Sequence, residues 1–251
     1  MSIIVKSEGE IAAMRRAGIV VASILKTLSN EIKAGMTTHE LDDIAVRELA
    51  RYGATPSFKG YGGFPATLCV SINEEVVHGI PGNKIIHESD IVSLDFGAIV
   101  DGFHGDAALT VGVGSIGPKA KQLLEVTRGS LETGIAIARP GAHLSDISAA
   151  IQHYVESRGF SVVREYTGHG IGREMHEDPQ IPNFGPPGHG PILSKGMTLA
   201  IEPMVNIGDW KTKVKNNHWT VVTADRCLSA HFEKTIAITD GDAEVLTAWD
   251  E

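Results

Sequence analysis

The chain has 251 residues, of which 42% are hydrophobic, and a formal net charge of −9. That length and apolar content suit one large α/β or α+β domain or two small ones, and they exclude a disordered chain. The acidic balance argues against DNA binding through a basic surface, and the two cysteines, Cys69 and Cys227, are too few for a disulfide framework and indicate a reducing compartment.

A charged and then apolar stretch near the N-terminus, "RRAGIVVASILK", resembles an export signal. Glu8 and Glu10 precede it, Lys26 interrupts its apolar run, and no small-residue cleavage site follows, so export is disfavoured. No stretch approaches the ~20 apolar residues that span a membrane. We therefore expect a soluble, cytoplasmic protein that makes no membrane contact.

The first half of the chain predicts two helices followed by strands. Capping-box pairs, Ser7 with Glu10 and Thr37 with Glu40, start helices that run to about residue 32 and to residue 53. A loop rich in glycine, proline and aromatic residues follows. The segments "CVSIN" and "EVVHGIP" after it are typical of strands and turns.

The second half repeats this order, with a long helix over 117–141 and a shorter one over 142–159. The intervals from Gly35 to Gly53 and from Gly141 to Gly159 both span eighteen residues, and they are offset by 106. At the same offset Asp95, which ends the apolar run "VSLD", falls beside Glu202, which ends "LAIE". We therefore predict a duplicated helix–helix–strand unit in one pseudo-two-fold domain, with its site where the halves meet.

The stretch "SLDFGAIVDGFHGDAALT" predicts a hairpin around its central Asp-Gly turn. With those two residues at the centre of the turn, Asp95 pairs with Ala108 and Gly97 pairs with Asp106. The two acids then share a face as diagonal neighbours, and their small partners leave space at the carboxylates. Moving the turn back by one residue would place the acids directly opposite, and an odd-length loop without a bulge would separate them.

Two carboxylates in such a place raise each other's pKa unless a cation binds between them, and a pair of solvated strand acids is the alternative. Further candidates lie on or beside other apolar runs, namely His78, His169, His176, Glu202 and Glu233. An oxygen-rich set with one imidazole suits divalent Mn, Fe, Co or Zn rather than a closed structural zinc site. Four carboxylates balance two divalent cations, and two metals ~3.5–4 Å apart form a hydrolytic centre. Considered alone, His169 is equally a structural turn histidine.

Five segments resemble, in order, the motifs of type I methionine aminopeptidases: "NEEVVHGIP", "DFGAIVDGFHGDAALT", "GHGIGREMHEDP", "AIEPM" and "SAHFEKT". The resemblance covers about residues 5–245. It implies the pita-bread fold of that family, an α+β architecture whose pseudo-two-fold symmetric halves share a central curved antiparallel sheet flanked by helices. It also implies a single catalytic domain over 1–251, with an internal duplication of about 8–110 and 117–240.

The same resemblance implies five ligands for two divalent ions, Asp95, Asp106, His169, Glu202 and Glu233. Asp106 and Glu233 would bridge the ions, Asp95 would chelate one, and His169 with Glu202 would complete the other. The ions would lower the pKa of a bridging water, and the resulting hydroxide would attack the carbonyl of the N-terminal residue.

Three catalytic roles also follow from the resemblance. Glu202 would relay protons as general base and then acid, His176 would donate a hydrogen bond to the tetrahedral intermediate, and His78 would contact the scissile amide. The implied reaction removes the N-terminal methionine from nascent proteins and peptides. A small second residue would be preferred, because a larger one clashes at the pocket mouth.

The family's methionine pocket corresponds to residues that are otherwise ordinary core side chains, Phe58, Tyr61, Phe64, Cys69, Met175 and Trp219, beside His78 and His176. The chain departs from the family pattern at three of the surrounding positions. Phe58 stands where bacterial members often carry Cys, Gly62 where many carry His, and Met175 where Phe is commoner. We expect these differences to reshape the pocket rim and to leave the five metal ligands unaffected.

Further expectations concern a cation site, two surface segments and the oligomeric state. Ser229 and Asn73 match positions around a monovalent-cation site in many relatives. Lysines in "DWKTKVKNNHW" predict a solvated hairpin tip, with a contact to ribosomal RNA at the exit tunnel as the alternative; they are Lys211, Lys213 and Lys215. The segment "PQIPNFGPPGHGP" predicts a long surface loop, and a domain of this kind is expected to be monomeric.

Two rival classes stay open from the sequence. Xaa-Pro aminopeptidases and prolidases share the implied fold, but they usually carry an extra N-terminal domain, and the spacing of "GHGIGREMHEDP" fits the methionine enzymes better. A non-catalytic binding relative, or a structural metal protein, would have lost ligands, whereas all five positions are filled. Type II enzymes carry an insertion before the second-half glutamate, and only thirty-three residues separate His169 from Glu202.

Overall fold

The computed structural model of the protein describes residues 3–248. Its four α-helices are α1 (Glu8–Glu31), α2 (Thr38–Arg51), α3 (Pro118–Ile137) and α4 (Leu144–Glu156), with a short 3₁₀ turn at Tyr61–Gly63. Reciprocal hydrogen bonds join Ser7 to Glu10 and Thr37 to Glu40, which confirms both predicted capping boxes. Among the helices of the described residues, none has the length and apolar character needed to cross a membrane.

Most strands are short, and the longest two form the predicted hairpin. In chain order they are β1 (Thr55–Pro56), β2 (Leu68–Ile72), β3 (Glu75–Val77), β4 (Ile91–Val100), β5 (Phe103–Gly112), β6 (Ser161–Val162), β7 (Thr167–Gly170), β8 (Glu177–Pro182), β9 (Thr198–Ile201), β10 (Met204–Asn206), β11 (Thr212–Val214), β12 (Val221–Thr223), β13 (Ser229–His231), β14 (Glu233–Ala237) and β15 (Glu244–Val245).

Nine of these strands form one antiparallel sheet in the order β1-β4-β5-β14-β9-β7-β8, with β2 beside β4 and β15 beside β14. The strands β5 and β14 meet in its middle and join the two halves of the chain. Two three-stranded sheets, β13-β10-β6 and β11-β12-β3, lie beside it.

The two halves tie their helices to the rest of the fold in the same way. The N–H of Gly35 donates to the carbonyl of Ile86, and the N–H of Gly141 donates to the carbonyl of Leu193, at positions 106 and 107 residues further on. At the same offset, the N–H of His143 donates to Oδ2 of Asp146, as the N–H of Thr37 donates to Oε2 of Glu40. This recurrence agrees with the predicted pseudo-two-fold halves.

The hairpin of β4 and β5 adopts the first of the predicted registers, with Asp95 opposite Ala108 and Gly97 opposite Asp106. The expectation that Gly97 leaves open space is wrong. A Cβ atom at Gly97 would lie 2.8 Å from the Cβ of Ser57, so the glycine instead lets the segment after β1 pack against the hairpin.

Successive side chains of the hairpin strands point to opposite faces of the sheet, one toward the hydrophobic core and the other toward the candidate site. Leu94 and Phe96 point into the main hydrophobic core with side chains of α1 such as Leu25, and all three are fully buried. Asp95 lies between them in sequence and therefore points to the opposite face of the sheet. Asp106 on β5 lies on that same opposite face.

The structure shows a change of sheet in the second half and corrects one expectation there. The apolar run over 228–239 forms two strands, because the chain leaves one sheet and enters another at Phe232: β13 pairs with β10, and β14 pairs with β9. The partner strands break at Glu202 and Pro203, and Pro203 has no N–H to continue a ladder. The expected surface loop over 179–191 begins inside β8.

Candidate metal centre

The five predicted metal ligands come from neighbouring strands of the large sheet. Asp95 lies on β4, Asp106 on β5, His169 on β7, Glu202 directly after β9, and Glu233 at the start of β14. Ala108 pairs with Asp95 on one side and with Glu233 on the other. Asp95 and Glu233 therefore lie in one row across three strands, and the methyl side chain of Ala108 lies between them.

The structure places these side chains close together. The potential ligand atoms of Asp106, His169 and Glu233 all lie within 4.8 Å of one another. Nε2 of His169 lies 3.9 Å from Oδ2 of Asp106 and 3.6 Å from Oε1 of Glu202. Within the part of the chain that the structure describes, buried oxygens of Asp95, Asp106 and Glu233 have no hydrogen-bond partner. A bound cation would satisfy these unpaired carboxylate oxygens. Together with the imidazole of His169, they form a donor set that fits divalent metal ions.

Without a bound cation, the protein is an unfavourable environment for the negative charges of the four carboxylates. Burial raises the pKa of Asp95 to about 7. Burial, and then the neighbouring carboxylates, raise the pKa values of Asp106, Glu202 and Glu233 well above their ordinary range. Cations at the same place favour the ionised carboxylates and reverse this effect.

His169 is oriented for metal binding by its own strand. Its Nδ1 lies 2.8 Å from the carbonyl oxygen of Gly170. Because a carbonyl can only accept, Nδ1 carries the proton. The lone pair of Nε2 then points into the cluster beside Asp106 and Glu202, where it is available to a cation. Burial, and then the nearby His176, lower the pKa of His169 to about 3, so the ring is neutral.

A cavity of about 240 Å³ opens on this cluster. It is lined by the five predicted ligands and by every predicted pocket residue, Phe58, Tyr61, Phe64, Cys69, His78, Met175, His176 and Trp219. The rings of Phe64 and Trp219 meet edge to face, with centroids 5.2 Å apart. The structure thus brings the predicted metal residues and the predicted substrate residues to one place.

Two histidines that line the cavity, His176 and His78, are held in different ways. Nδ1 of His176 lies 2.7 Å from the hydroxyl of Tyr61, which holds the ring 4.3 Å from that of His169, centroid to centroid. A hydroxyl that donates to Nδ1 leaves the His176 proton on Nε2. His78 has a φ of 58°, in the left-handed region that non-glycine residues rarely adopt, and such strain is concentrated at functional positions.

One residue of this centre, His231, was not recognised from the sequence. It is 1% exposed at the end of β13, and its Nε2 lies 3.7 Å from Oε2 of Glu202 and 3.9 Å from Oε2 of Glu233. The available signal was its position two residues before Glu233 in "SAHFEKT", because neighbours at that spacing share a face on a regular strand.

The two residues predicted beside a monovalent cation are in contact. The N–H of Ser229 donates to the carbonyl of Asn73 at 2.9 Å. The buried Oγ of Ser229 has no hydrogen-bond partner among residues 3–248. The cation itself stays a prediction.

The three lysines lie on or beside the hairpin of β11 and β12, and their side chains are exposed. Lys215 lies at the predicted tip, whereas Lys211 lies at the base, where its carbonyl accepts from the N–H of Ala224. Nζ of Lys215 lies 2.6 Å from Oε1 of Glu75, and Nζ of Lys211 lies 3.3 Å from Oδ2 of Asp209. Two of the three positive charges are therefore paired with acids of the same chain.

Known proteins resemble the chain over nearly its whole length. Residues 12–240 match the model of metallopeptidase family M24. The chain is 53% identical to a methionine aminopeptidase of Clostridium acetobutylicum and 54% identical to methionine aminopeptidase 1 of Bacillus subtilis; each match covers 98% of this chain, and 98% and 99% of those proteins. The crystal structure of methionine aminopeptidase from Thermotoga maritima superimposes with a TM-score of 0.97 at 49% identity, over 99% of this chain and 100% of that chain.

The chain belongs to metallopeptidase family M24, whose members are metal-dependent hydrolases. Within that family it belongs with the methionine aminopeptidases, so the predicted family and enzyme class are confirmed. The pita-bread fold is confirmed as well. A prolidase from Pyrococcus horikoshii superimposes with a TM-score of 0.80 at 23% identity, over 99% of this chain and 64% of that chain, which shows a shared fold alone.

Proposed function

We propose that the protein removes the N-terminal methionine from nascent proteins and peptides in the cytoplasm, and that it prefers a small second residue. The observation that carries this proposal is the cluster of buried carboxylates and His169 on an aromatic-lined cavity. The names of relatives more than 50% identical support the choice of methionine as the residue released.

Two divalent ions, Mn, Fe, Co or Zn, would be held by Asp95, Asp106, His169, Glu202 and Glu233. The partnerless buried oxygens and the neutral His169 support this assignment. Asp106 and Glu233 would be shared by the two ions, Asp95 would serve one of them, and His169 with Glu202 would complete the other. When bound, such ions lower the pKa of a water molecule and polarise a carbonyl.

The remaining groups of the chain handle protons and hold the substrate. Glu202 accepts the proton of the attacking water on its carboxylate and returns it to the leaving amine. His176 donates from Nε2 to the oxygen of the tetrahedral intermediate, while Tyr61 holds its ring. His78, whose pKa burial lowers to about 4, contacts the scissile amide as a neutral ring.

The apolar part of the cavity accepts the methionine side chain. Phe64, Cys69 and Met175 are buried there, and Trp219 closes one side. At Gly62 a Cβ atom would lie 3.4 Å from the Trp219 ring, so the glycine that stands where many relatives carry His keeps that rim open. We expect the rim to admit small second residues and to differ in inhibitor response from that of relatives.

Release of methionine from peptides tests the proposed function directly. With Mn²⁺ present, the protein is expected to cleave Met-Ala-Ser and to cleave Met-Leu-Ser much more slowly, because leucine clashes at the pocket mouth. Liquid chromatography of the released amino acid gives the rates. Cleavage of Ala-Pro without cleavage of Met-Ala-Ser would support a proline-specific peptidase, and cleavage of neither would support a binding protein.

His176→Ala is expected to lower kcat by about 10²- to 10³-fold while Mn²⁺ content stays unchanged, since one oxyanion donor contributes about 2.7–4 kcal/mol. His189→Ala is the matched control, because that histidine is exposed and its ring contacts a carbonyl of its own loop, that of Pro187. Steady-state kinetics and metal analysis on both variants measure the two effects. Equal loss of metal and of turnover in His176→Ala would contradict its role as a donor to substrate.

Several finer predictions stay proposals. The recurring hydrogen bonds of the two halves support one catalytic domain over 1–251 with duplicated units of about 8–110 and 117–240. The partnerless Ser229 Oγ supports a monovalent cation beside Asn73. A monomeric state is retained, and for the three lysines a solvated hairpin tip remains favoured over a ribosome contact, because Lys211 and Lys215 are paired.

A further inference from the structure

His231 is a buried polar side chain with no partner of its own. It is 1% exposed, and among residues 3–248 neither Nδ1 nor Nε2 has a hydrogen-bond partner. Burying an imidazole without a hydrogen bond to either nitrogen costs free energy. Such a ring therefore requires an explanation other than packing in the apolar core.

The ring of His231 borders the candidate metal centre at Glu202, as the ring of His169 does. Nε2 of His231 lies 3.7 Å from Oε2 of Glu202, and Nε2 of His169 lies 3.6 Å from Oε1 of the same carboxylate. Each oxygen of Glu202 therefore faces one imidazole. His231 also lies 3.9 Å from Oε2 of Glu233, so it borders two of the acids that bind the ions.

The two histidines differ in how their protons are assigned. Nδ1 of His169 donates to Gly170, which leaves Nε2 as an acceptor suited to a cation. Nδ1 of His231 has no carbonyl partner among the described residues that would fix that tautomer. Its Nε2 is therefore free to carry the proton and to face the carboxylate as a donor.

The backbone of His231 is held firmly enough to position the ring. Its N–H donates to Oγ1 of Thr110 at 2.9 Å, and the same hydroxyl donates back to the His231 carbonyl at 2.8 Å. Ser93 hydrogen-bonds to Thr110 in turn. His231 is thus anchored to β5, the strand that carries Asp106.

From this arrangement we propose that His231 is a positioning residue of the metal centre: its Nε2–H, which faces Oε2 of Glu202 across 3.7 Å here, donates to that carboxylate when the cations are bound and holds it in place for them. Outer partners of this kind orient metal-binding carboxylates, and their loss weakens metal affinity by about 10- to 100-fold. The inference deepens the proposed function and rests on the proposed metal site.

The test measures Mn²⁺ binding to the chelator-treated full chain by titration calorimetry. His231→Leu, which removes the donor, is expected to raise the Kd at least about tenfold. His231→Gln, which keeps an N–H donor on a flexible side chain, is expected to stay within about threefold of wild type. Thermal unfolding of each metal-free variant shows that it is folded, and His231→Met replaces His231→Leu if the latter does not fold.

Pulsed electron paramagnetic resonance of the Mn²⁺ complexes adds a readout that a purely structural role would not change. One histidine nitrogen, that of His169, is expected to be coupled to the ion in wild type and in His231→Leu alike. A second coupled nitrogen that disappears in His231→Leu would overturn the proposal in favour of direct ligation. Wild-type affinity in His231→Leu would overturn it entirely. Absence of Mn²⁺ binding by wild type would instead overturn the proposed metal site.

Discussion

Asp106→Asn is expected to abolish Mn²⁺ binding and to lower turnover by at least about 10³-fold. Asp106 is 2% exposed on β5, and its carboxylate lies in the cluster with His169 and Glu233. An amide has the same shape but no charge, so it cannot bridge two cations. Loss of the several kcal/mol of charge stabilisation that bound metal supplies corresponds to that factor.

The same substitution is expected to stabilise the metal-free protein at pH 8. Burial, and then Asp95 and Glu202, oppose the charge of Asp106 when no cation is bound, and the neutral amide removes that repulsion. Opposite effects on activity and on stability distinguish a functional acid from a structural one.

Asp101→Asn serves as the matched control on the same hairpin. Asp101 lies in the exposed turn at a φ of 52°, a conformation that asparagine tolerates, and its ion pair is with Arg16 on the surface. Metal content, kcat and the Tm of the metal-free form should stay at wild-type values in this variant. Normal turnover in Asp106→Asn, or a loss in Asp101→Asn of the same size, would contradict the proposed ligand set.

The features that were predictable from the sequence are those that local chemistry determines. Both capping boxes and the hairpin register depend on residues a few positions apart, and both are confirmed. Because side chains alternate along a strand, that register alone predicted that Asp95 and Asp106 share a face. The resemblance added the family, which the comparisons confirm.

The features that were missed depend on contacts between distant segments. Nothing near Gly97 in sequence indicates that Ser57 packs against it, and nothing near Phe232 indicates that the chain changes sheets there. The place of His231 follows from that change, since it turns the end of β13 toward Glu202. The position of His231 two residues before Glu233 is a local signal, but its contact with Glu202 is visible only when the non-local packing is known.

In the metal-free protein the buried carboxyl groups are expected to remove stability as pH rises from about 4 to their raised folded pKa values, about 7 for Asp95, and Mn²⁺ is expected to prevent this loss. The folded-state pKa of Asp95 is raised to about 7 from its ordinary 3.8, so the folded protein retains a proton that the unfolded chain has released. Stability therefore falls with rising pH up to the folded pKa, by about 1.4 kcal/mol per pH unit for each such group. Asp106, Glu202 and Glu233 act in the same direction.

The histidines act with the opposite sign, but only at lower pH. Burial lowers the pKa of His78 to about 4 and those of His169 and His231 to about 3, so they remove stability as pH falls below about 6.5. Above that pH they are neutral in both states and contribute no slope. Above pH 6.5 the histidines therefore do not mask the slope of the carboxylates, which for Asp95 ends near pH 7.

Thermal unfolding of the metal-free protein as a function of pH measures the effect. The Tm is expected to fall with rising pH up to about 7 through Asp95, and in the same direction through the other three carboxyl groups, whose pKa values are raised well above their ordinary range. Each kcal/mol lost lowers the Tm by about 2–4 °C in a chain of this length. Saturating Mn²⁺ holds the carboxylates ionised, so the Tm of the loaded protein should be flat and the gap between the two forms should widen as pH rises. Asp101→Asn should follow the wild-type slope, and Asp95→Asn should be shallower below about pH 7. A flat Tm without metal would mean that the folded protein neutralises these acids by itself, in which case their burial would no longer argue for cations at this centre.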